Sequence, residues 1–216
     1  TPMIKVSNSK IKLIHLERTP YKEVWNLQKK LQKERIKEEI NDTIILTEHE
    51  PVYTLGKNAN VNHLLPNRDR NIEVFNIERG GDITFHGPGQ LVGYPILCLK
   101  NYKPSITWYM RTLEQVIIDT LKNFSISATR RRNFTGVWVG DEKIAAMGVR
   151  ISRWVTMHGF SININPDLKF YDGIIPCGIF EFGVTSMKEL GVHTSMNTVK
   201  SNLIKNLFKY FLVDKI

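Results

Sequence analysis

Between Gly136 and Asn165 the chain carries a pattern that only a sheet with one buried face satisfies. GVWVG leads into the turn tetrad Gly140-Asp141-Glu142-Lys143 and then IAAMGVRIS, the signature of a β-hairpin, and WVTMHGFSININ continues as a third strand. In that third run Phe160, Ile162 and Ile164 alternate with Ser161, Asn163 and Asn165. Successive side chains of a strand point to opposite faces, so one face is apolar and the other polar.

Helices and further strands are expected around this hairpin. Thr19-Pro20 followed by YKEVWNLQKKLQKERIKEEI reads as a helix capped by the threonine, with a thin apolar stripe that places it on the surface. TIILTE and VYTLG, around Pro51, are short β-rich runs, and KNANVNHLLPNRDR is a long polar loop. IEVFNIERGGDITFHGPGQLVGYPIL holds two strand-like runs around Gly80, Gly81, Gly87, Pro88 and Gly89, where backbone can approach a ligand closely. From Pro104 the apolar positions Ile106, Tyr109, Met110, Leu113, Val116, Ile117, Leu121 and Phe124 fall at helical spacing. Ser186 and Glu189 suit a capping box for a short helix ending at Gly191, and TVKSNLIKNLFKYFL is a final amphipathic helix. No repeat or linker interrupts the chain, so the expectation is a single α+β domain over residues 1–216, a mixed or antiparallel sheet flanked by helices.

At 216 residues, such a domain buries roughly 70% of its unfolded surface, enough for a core without disulfides. Cys98 and Cys177 are the two cysteines, with no spacing that suggests a disulfide framework or a zinc site. No apolar run approaches the ~18 residues of a membrane helix. The expected setting is soluble, reducing and cytoplasmic, or an organelle matrix if a targeting segment preceded Thr1. The 30 Lys and Arg against 21 Asp and Glu, a net charge of +9, suggest an acidic partner. The densest basic cluster, Arg130-Arg131-Arg132, has no RNA-binding aromatic pattern beside it and reads equally as a solvated loop.

Cys177, in Asp172-Gly173-Ile174-Ile175-Pro176-Cys177-Gly178, a turn-rich stretch, is the candidate nucleophile, with a small buried hydrophobe as its ordinary reading; Cys98, inside YPILCLK, should point into the core. A cysteine attacks as its thiolate and needs a nearby cation or base. Lys143, His86 and His158 are the candidates, each with an ordinary structural reading beside it: a solvated hairpin lysine and two satisfied histidines. Arg79-Gly80-Gly81 suits an anion cradle in which glycine amides point at an oxygen and arginine adds charge. Neither the P-loop nor the dinucleotide fingerprint is present, and no HExxH or CxxC occurs, so neither a metal nor a cofactor is expected.

Together these segments are more specific than any alone. The run Arg79-Gly80-Gly81-Asp82-Ile83-Thr84-Phe85-His86-Gly87-Pro88-Gly89-Gln90-Leu91-Val92-Gly93-Tyr94 resembles the signature of the lipoyl(octanoyl) transferases. Lys143 to Arg150, Arg153 to Phe160, and Pro176-Cys177-Gly178-Ile179 follow in that family's order, so the resemblance spans about Glu48 to Val192. Two departures are Thr135, where proline is expected, and Met147, where leucine is more usual.

The resemblance implies the biotin and lipoate protein ligase fold. It also implies transfer of an octanoyl group from octanoyl-acyl carrier protein to a specific lysine of a lipoyl domain, as in 2-oxo acid dehydrogenase subunits and the glycine cleavage H protein. By the same carry-over Cys177 forms the acyl thioester and Lys143 lowers its pKa and acts as acid and base. The substrate pocket uses Arg79, Gly80, Gly81, Asp82, Ile83, Thr84, Phe85 and His86, then Ala146, Met147 and Gly148, then Gly159, Phe160 and Ser161. Gly148 and Gly159 are expected to leave room for the aliphatic chain. Arg130 to Arg132, or the basic first helix, is expected to dock the acidic carrier. A monomer without nucleic-acid or membrane partners follows. The rival readings are an ATP-dependent lipoate or biotin ligase, a thioesterase, and a basic RNA-binding module.

Overall fold

The computed structural model describes residues 3–4, 11–175 and 183–211. Cys177, with Pro176, Gly178 and Ile179, lies outside the described residues.

Among the described residues the main sheet has nine strands. They are β1 (Met3–Ile4), β2 (Lys12–Arg18), β3 (Thr43–Glu48), β7 (Gln90–Ile96), β8 (Thr129–Arg131), β9 (Phe134–Val139), β10 (Glu142–Ser152), β11 (Val155–Asn163) and β12 (Gly183–Val184). Their order is β1-β2-β3-β7-β11-β10-β9-β8, with β12 pairing β10. The expected three-strand run is present toward one end of it: β9, β10 and β11 are antiparallel, with Ala146 opposite Ser161 and Gly148 opposite Gly159. β2 runs parallel to β3 and β12 parallel to β10, so the sheet is mixed.

A second sheet, β5-β4-β6, joins β4 (Val52–Leu55), β5 (Glu73–Asn76) and β6 (Ile83–His86). The stretch expected to hold two strands therefore holds three, β5, β6 and β7, divided between two sheets. The long loop before it contains a 3-10 turn, Val61–His63, and returns to the segment preceding Cys177: Leu65 N donates to Gly173 O (2.9 Å) and Ile175 N to His63 O (2.9 Å).

One face of the main sheet, with Ile44, Leu46, Leu91, Phe160 and Ile162, is covered by α2 (Ile106–Lys122) and α3 (Met196–Phe211). Ser105 caps α2 by accepting from Trp108 N (3.2 Å), and Ser195 caps α3 by accepting from Thr198 N (3.1 Å). α1 (Tyr21–Ile36) packs on the opposite face, against β7 and β11, and buries Tyr21, Val24, Gln28, Leu31 and Gln32. The helix lies on the surface as expected, and two buried glutamines widen its inward stripe beyond the apolar residues. Gln28 Oε1 accepts from His158 N (2.8 Å) and Gln32 Nε2 donates to Val155 O (3.0 Å). Thr19 does not cap α1, because its hydroxyl donates to Glu17 O (2.7 Å) and Pro20 holds the cap position. Ser186 Oγ accepts from Glu189 N (3.2 Å), yet the following residues form only a turn, closed at Gly191 with φ +81°. Cys98 is partly buried beside the α1 core, with its amide on Asp42 Oδ1 (2.9 Å).

The polar face of β11 is not turned to water: Ser161 and Asn163 are 3% and 4% exposed, roofed by the small sheet. Close strand contact is enforced by glycine. A Cβ on Gly159 would sit 2.1 Å from Gly93 O and one on Gly148 2.6 Å from Gly80 O. Both glycines thus make room for neighbouring backbone. Gly159→Ala is expected to destabilise the protein by about 2–3 kcal/mol, since backbone cannot yield as a side chain can. Gly183→Ala, whose Cβ would meet its nearest neighbour at 3.4 Å, should leave thermal melting nearly unchanged. Equal melting temperatures for the two variants would refute this account.

Candidate active site

A cavity open to solvent lies between the sheets, with about 450 Å³ of empty space when the solvent at its mouth is included. Its floor is the β10–β11 pair at Ala146, Met147, Gly148, Gly159, Phe160 and Ser161, and its roof is the Arg79–Asp82 loop with Thr84 and His86. The expected pocket residues thus converge, apart from Ile83 and Phe85. On β6 alternate side chains diverge, so Thr84 and His86 face the cavity while Ile83 and Phe85 pack with Tyr53, Leu55 and Tyr171 in a separate core. Tyr21 from α1 and Val92 and Tyr94 from β7 complete the wall. Sequence reading missed these three, and nothing in their local pattern distinguishes them from core residues.

Thr84, Ala146 and Ser161 also line a smaller recess, which contains Lys143, Asn163, Tyr171 and Val184. Lys143 is only 8% exposed, not the solvated hairpin lysine of its local sequence. Its Nζ lies 5.1 Å from the centroid of the buried Trp138 ring. The two flanks of the Cys177 segment meet here: Tyr171 belongs to the 3-10 helix Leu168–Gly173, four residues before Ile175 (175 minus 171), while Val184 pairs with Lys143 across β12 and β10. Thr185 N donates to Lys143 O (2.9 Å).

Arg79 is 7% exposed and ties the roof together. Its Nη2 donates to Thr54 O (2.8 Å) and Oγ1 (2.9 Å), and its Nη1 to Gly80 O (3.0 Å). Gly80 N donates to Val149 O (3.0 Å), so this amide holds the roof to β10 and is not offered to a ligand as the cradle reading expected.

The histidines around the cavity are buried and neutral. Gln90 Nε2 donates to Phe85 O (3.0 Å) and Asn163 Oδ1 (3.0 Å), which turns Gln90 Oε1 toward His86 Nδ1 (2.6 Å) and makes that nitrogen the protonated one. Burial, then the neighbouring His49, push the His86 pKa down to about 3. His49 bridges Thr19 O (2.7 Å) and Tyr94 Oη (2.7 Å), and burial lowers it to about 4. His158 is also lowered by burial, against the opposing pull of Glu78, whose Oε1 lies 3.2 Å from its Nε2. Burial works against ionisation of Glu78, but hydrogen bonds from His158 and Trp25 prevail and bring its pKa down to about 2. His158 holds a left-handed φ of +60° within β11 and faces Val149, six residues along β10 from Lys143. At ~3.3 Å per strand residue that is a separation of roughly 20 Å. Among the described residues Lys143, Arg68 and His63 all adjoin the Cys177 flanks, Lys143 beside Val184, Arg68 against Gly173 and His63 through its carbonyl on Ile175 N.

Of the arginine cluster, Arg130 is engaged by Glu114 (3.2 Å) and Gln115 (2.8 Å), and Arg131 by Asp141 (2.7 Å). Arg132 is exposed.

The chain is similar along most of its length to known proteins. The model of the lipoyl protein ligase A/B catalytic domain matches residues 20–208. An octanoyltransferase of Gloeobacter violaceus is 50% identical over 161 residues, 74% of this chain and 72% of that one. One from Solibacter usitatus is 44% identical over 203 residues, 92% of each chain. A chloroplastic octanoyltransferase of Arabidopsis thaliana is 44% identical over 178 residues, 79% of this chain and 64% of that one. The fold is shared with LipL1 of P. falciparum, solved with lipoate (TM-score 0.74, 17% identity, 93% of this chain and 62% of that one). It is shared less closely with the biotin protein ligase of Aquifex aeolicus (TM-score 0.52, 14% identity, 92% and 68%). With the two-sheet architecture and the cavity between the sheets, this likeness places the chain in the lipoyl protein ligase A/B catalytic-domain family, among the octanoyltransferases.

Proposed function

We propose that the chain is one catalytic domain that moves an octanoyl group from octanoyl-acyl carrier protein to a specific lysine of lipoyl domains, in 2-oxo acid dehydrogenase subunits and the glycine cleavage H protein. The observation that carries this reading is the adjacency of two spaces. The cavity between the sheets shares Thr84, Ala146 and Ser161 with the recess where Lys143 meets both flanks of the Cys177 segment.

In the first half-reaction the Cys177 thiolate, favoured by the positive charge of Lys143, attacks the octanoyl carbonyl. A new carbon–sulfur bond forms, the carrier's carbon–sulfur bond breaks, and the departing thiolate takes a proton from Lys143. In the second, the neutral amine of the acceptor lysine attacks the Cys177 thioester, Lys143 takes its proton, and Cys177 leaves as thiolate. Each proton lost by Lys143 is thereby restored within one turnover. The chemistry needs neither metal nor nucleotide.

An ATP-dependent ligase is the second reading, favoured by the fold shared with LipL1 and biotin protein ligase. The test is intact-protein mass spectrometry after incubation with octanoyl-acyl carrier protein. Gain of one octanoyl group without ATP, and its loss on adding a lipoyl domain, is the expected result. Transfer that occurs only with free octanoate and ATP would establish the ligase instead.

A further inference from the structure

Lys143 reaches its recess through a gap that another residue leaves open. Gly136, on β9, has φ +138°, and a Cβ built there would lie 2.4 Å from Lys143 Cε and 3.1 Å from the Trp138 ring. The lysine stem therefore occupies the place of the missing side chain. The backbone of Gly136 is held in turn from α2, where its N–H donates to Glu114 Oε1 (3.2 Å).

Glu114 is a completely buried carboxylate on a helix that otherwise packs through apolar and threonine side chains. Such a charge is costly to bury without partners. It has two cations: Arg111 Nη1 donates to both oxygens (3.0 and 2.7 Å) and Arg130 Nε to Oε2 (3.2 Å). Arg130 reaches it from β8, next to β9 in the sheet. A tie between helix and sheet alone does not call for a contact on the glycine that shapes the lysine channel.

We infer that Glu114 is a positioning residue, which acts through Gly136 to fix the path of Lys143. The inference rests on the acid and base role proposed for Lys143. Arg111 and Arg130 hold the carboxylate, the carboxylate holds the Gly136 amide, and Gly136 in its positive-φ conformation keeps the channel free. Two arginines of the basic surface thereby serve the interior.

The test is the pH dependence of Cys177 alkylation by iodoacetamide in the full chain, read by peptide mass so that Cys98 is counted separately. Wild type, Lys143→Ala, Glu114→Ala, Glu114→Gln and Gly136→Ala are compared, together with Glu114→Ala and Gly136→Ala each combined with Lys143→Ala. Lys143→Ala should move the inflection upward by about one pH unit, a roughly tenfold slower reaction below it, because the thiolate loses its cation. Glu114→Ala and Gly136→Ala should each reproduce most of that shift and add nothing once Lys143 is absent. Glu114→Gln keeps an oxygen for the Gly136 amide and should stay near wild type. Should Glu114→Ala fail to fold, Glu114→Asp, which keeps the charge but withdraws the oxygen from the Gly136 amide, takes its place, and Gly136→Ala tests the channel alone. A shift in Lys143→Ala with none in Glu114→Ala or Gly136→Ala overturns the positioning role alone. No shift in Lys143→Ala overturns the dyad beneath it.

Discussion

Cys177→Ala is expected to abolish both the covalent octanoyl adduct and transfer to a lipoyl domain, while Lys143→Ala slows transfer by about 10²- to 10⁴-fold, the usual contribution of a general acid and base. The two losses differ in kind. Without the sulfur no thioester forms, whereas without the amine a thiol remains that ionises less readily and must release a poorly protonated leaving group. Single-turnover mass spectrometry separates them: Lys143→Ala should still acquire the adduct, slowly, and discharge it slowly to the acceptor lysine. Full transfer by Cys177→Ala would remove the thioester from the mechanism. Lys143→Ala with wild-type rates in both halves would return Lys143 to a structural role against Trp138.

Acidification from pH 7 to pH 5 is expected to lower the melting temperature by on the order of 10 °C. The unfolded chain titrates its histidines near 6.5, whereas the folded chain holds His49 near 4 and His86 near 3. Between those values the unfolded state binds more protons, so stability is complete above about pH 6.5 and falls as the pH drops. Each histidine contributes up to roughly 1.4 kcal/mol per pH unit across its window, and His158, lowered in the same direction, adds to the slope. Glu78 does not compete in this range, since its depressed pKa gives a contribution that is lost only below its ordinary value of 4.5. Circular dichroism melts across the range measure the effect. A flat melting temperature from pH 7 to 5.5 would mean that the cavity histidines admit protons without unfolding.

Sequence determined the local order of this protein wherever one period dominated. The alternation from Phe160 to Ile164 set β11 and its register, and the spacing from Ile106 to Leu121 set α2, because burying one face against a core fixes which residues share that face. The site motifs were legible as runs of residues, and twelve of the fourteen expected pocket positions line the cavity. Ile83 and Phe85 do not, since a contiguous motif on a strand is divided between two faces.

What tertiary structure alone decided is which faces meet. Ser161 and Asn163 carry the polar pattern of a wet surface, yet a second sheet encloses them, and sequence does not say whether a polar face meets water or another polar layer. Lys143 is an ordinary hairpin lysine in its local sequence. Its burial follows from Gly136, seven residues earlier (143 minus 136), which leaves space for its stem, and from Trp138, which supports its amine. Glu114 reaches the lysine channel from α2, and Tyr21 and Tyr94 reach the cavity from α1 and β7, elements far apart in the chain. Local periodicity reports what each element hides from water, whereas a site is assembled from what different elements present to one another.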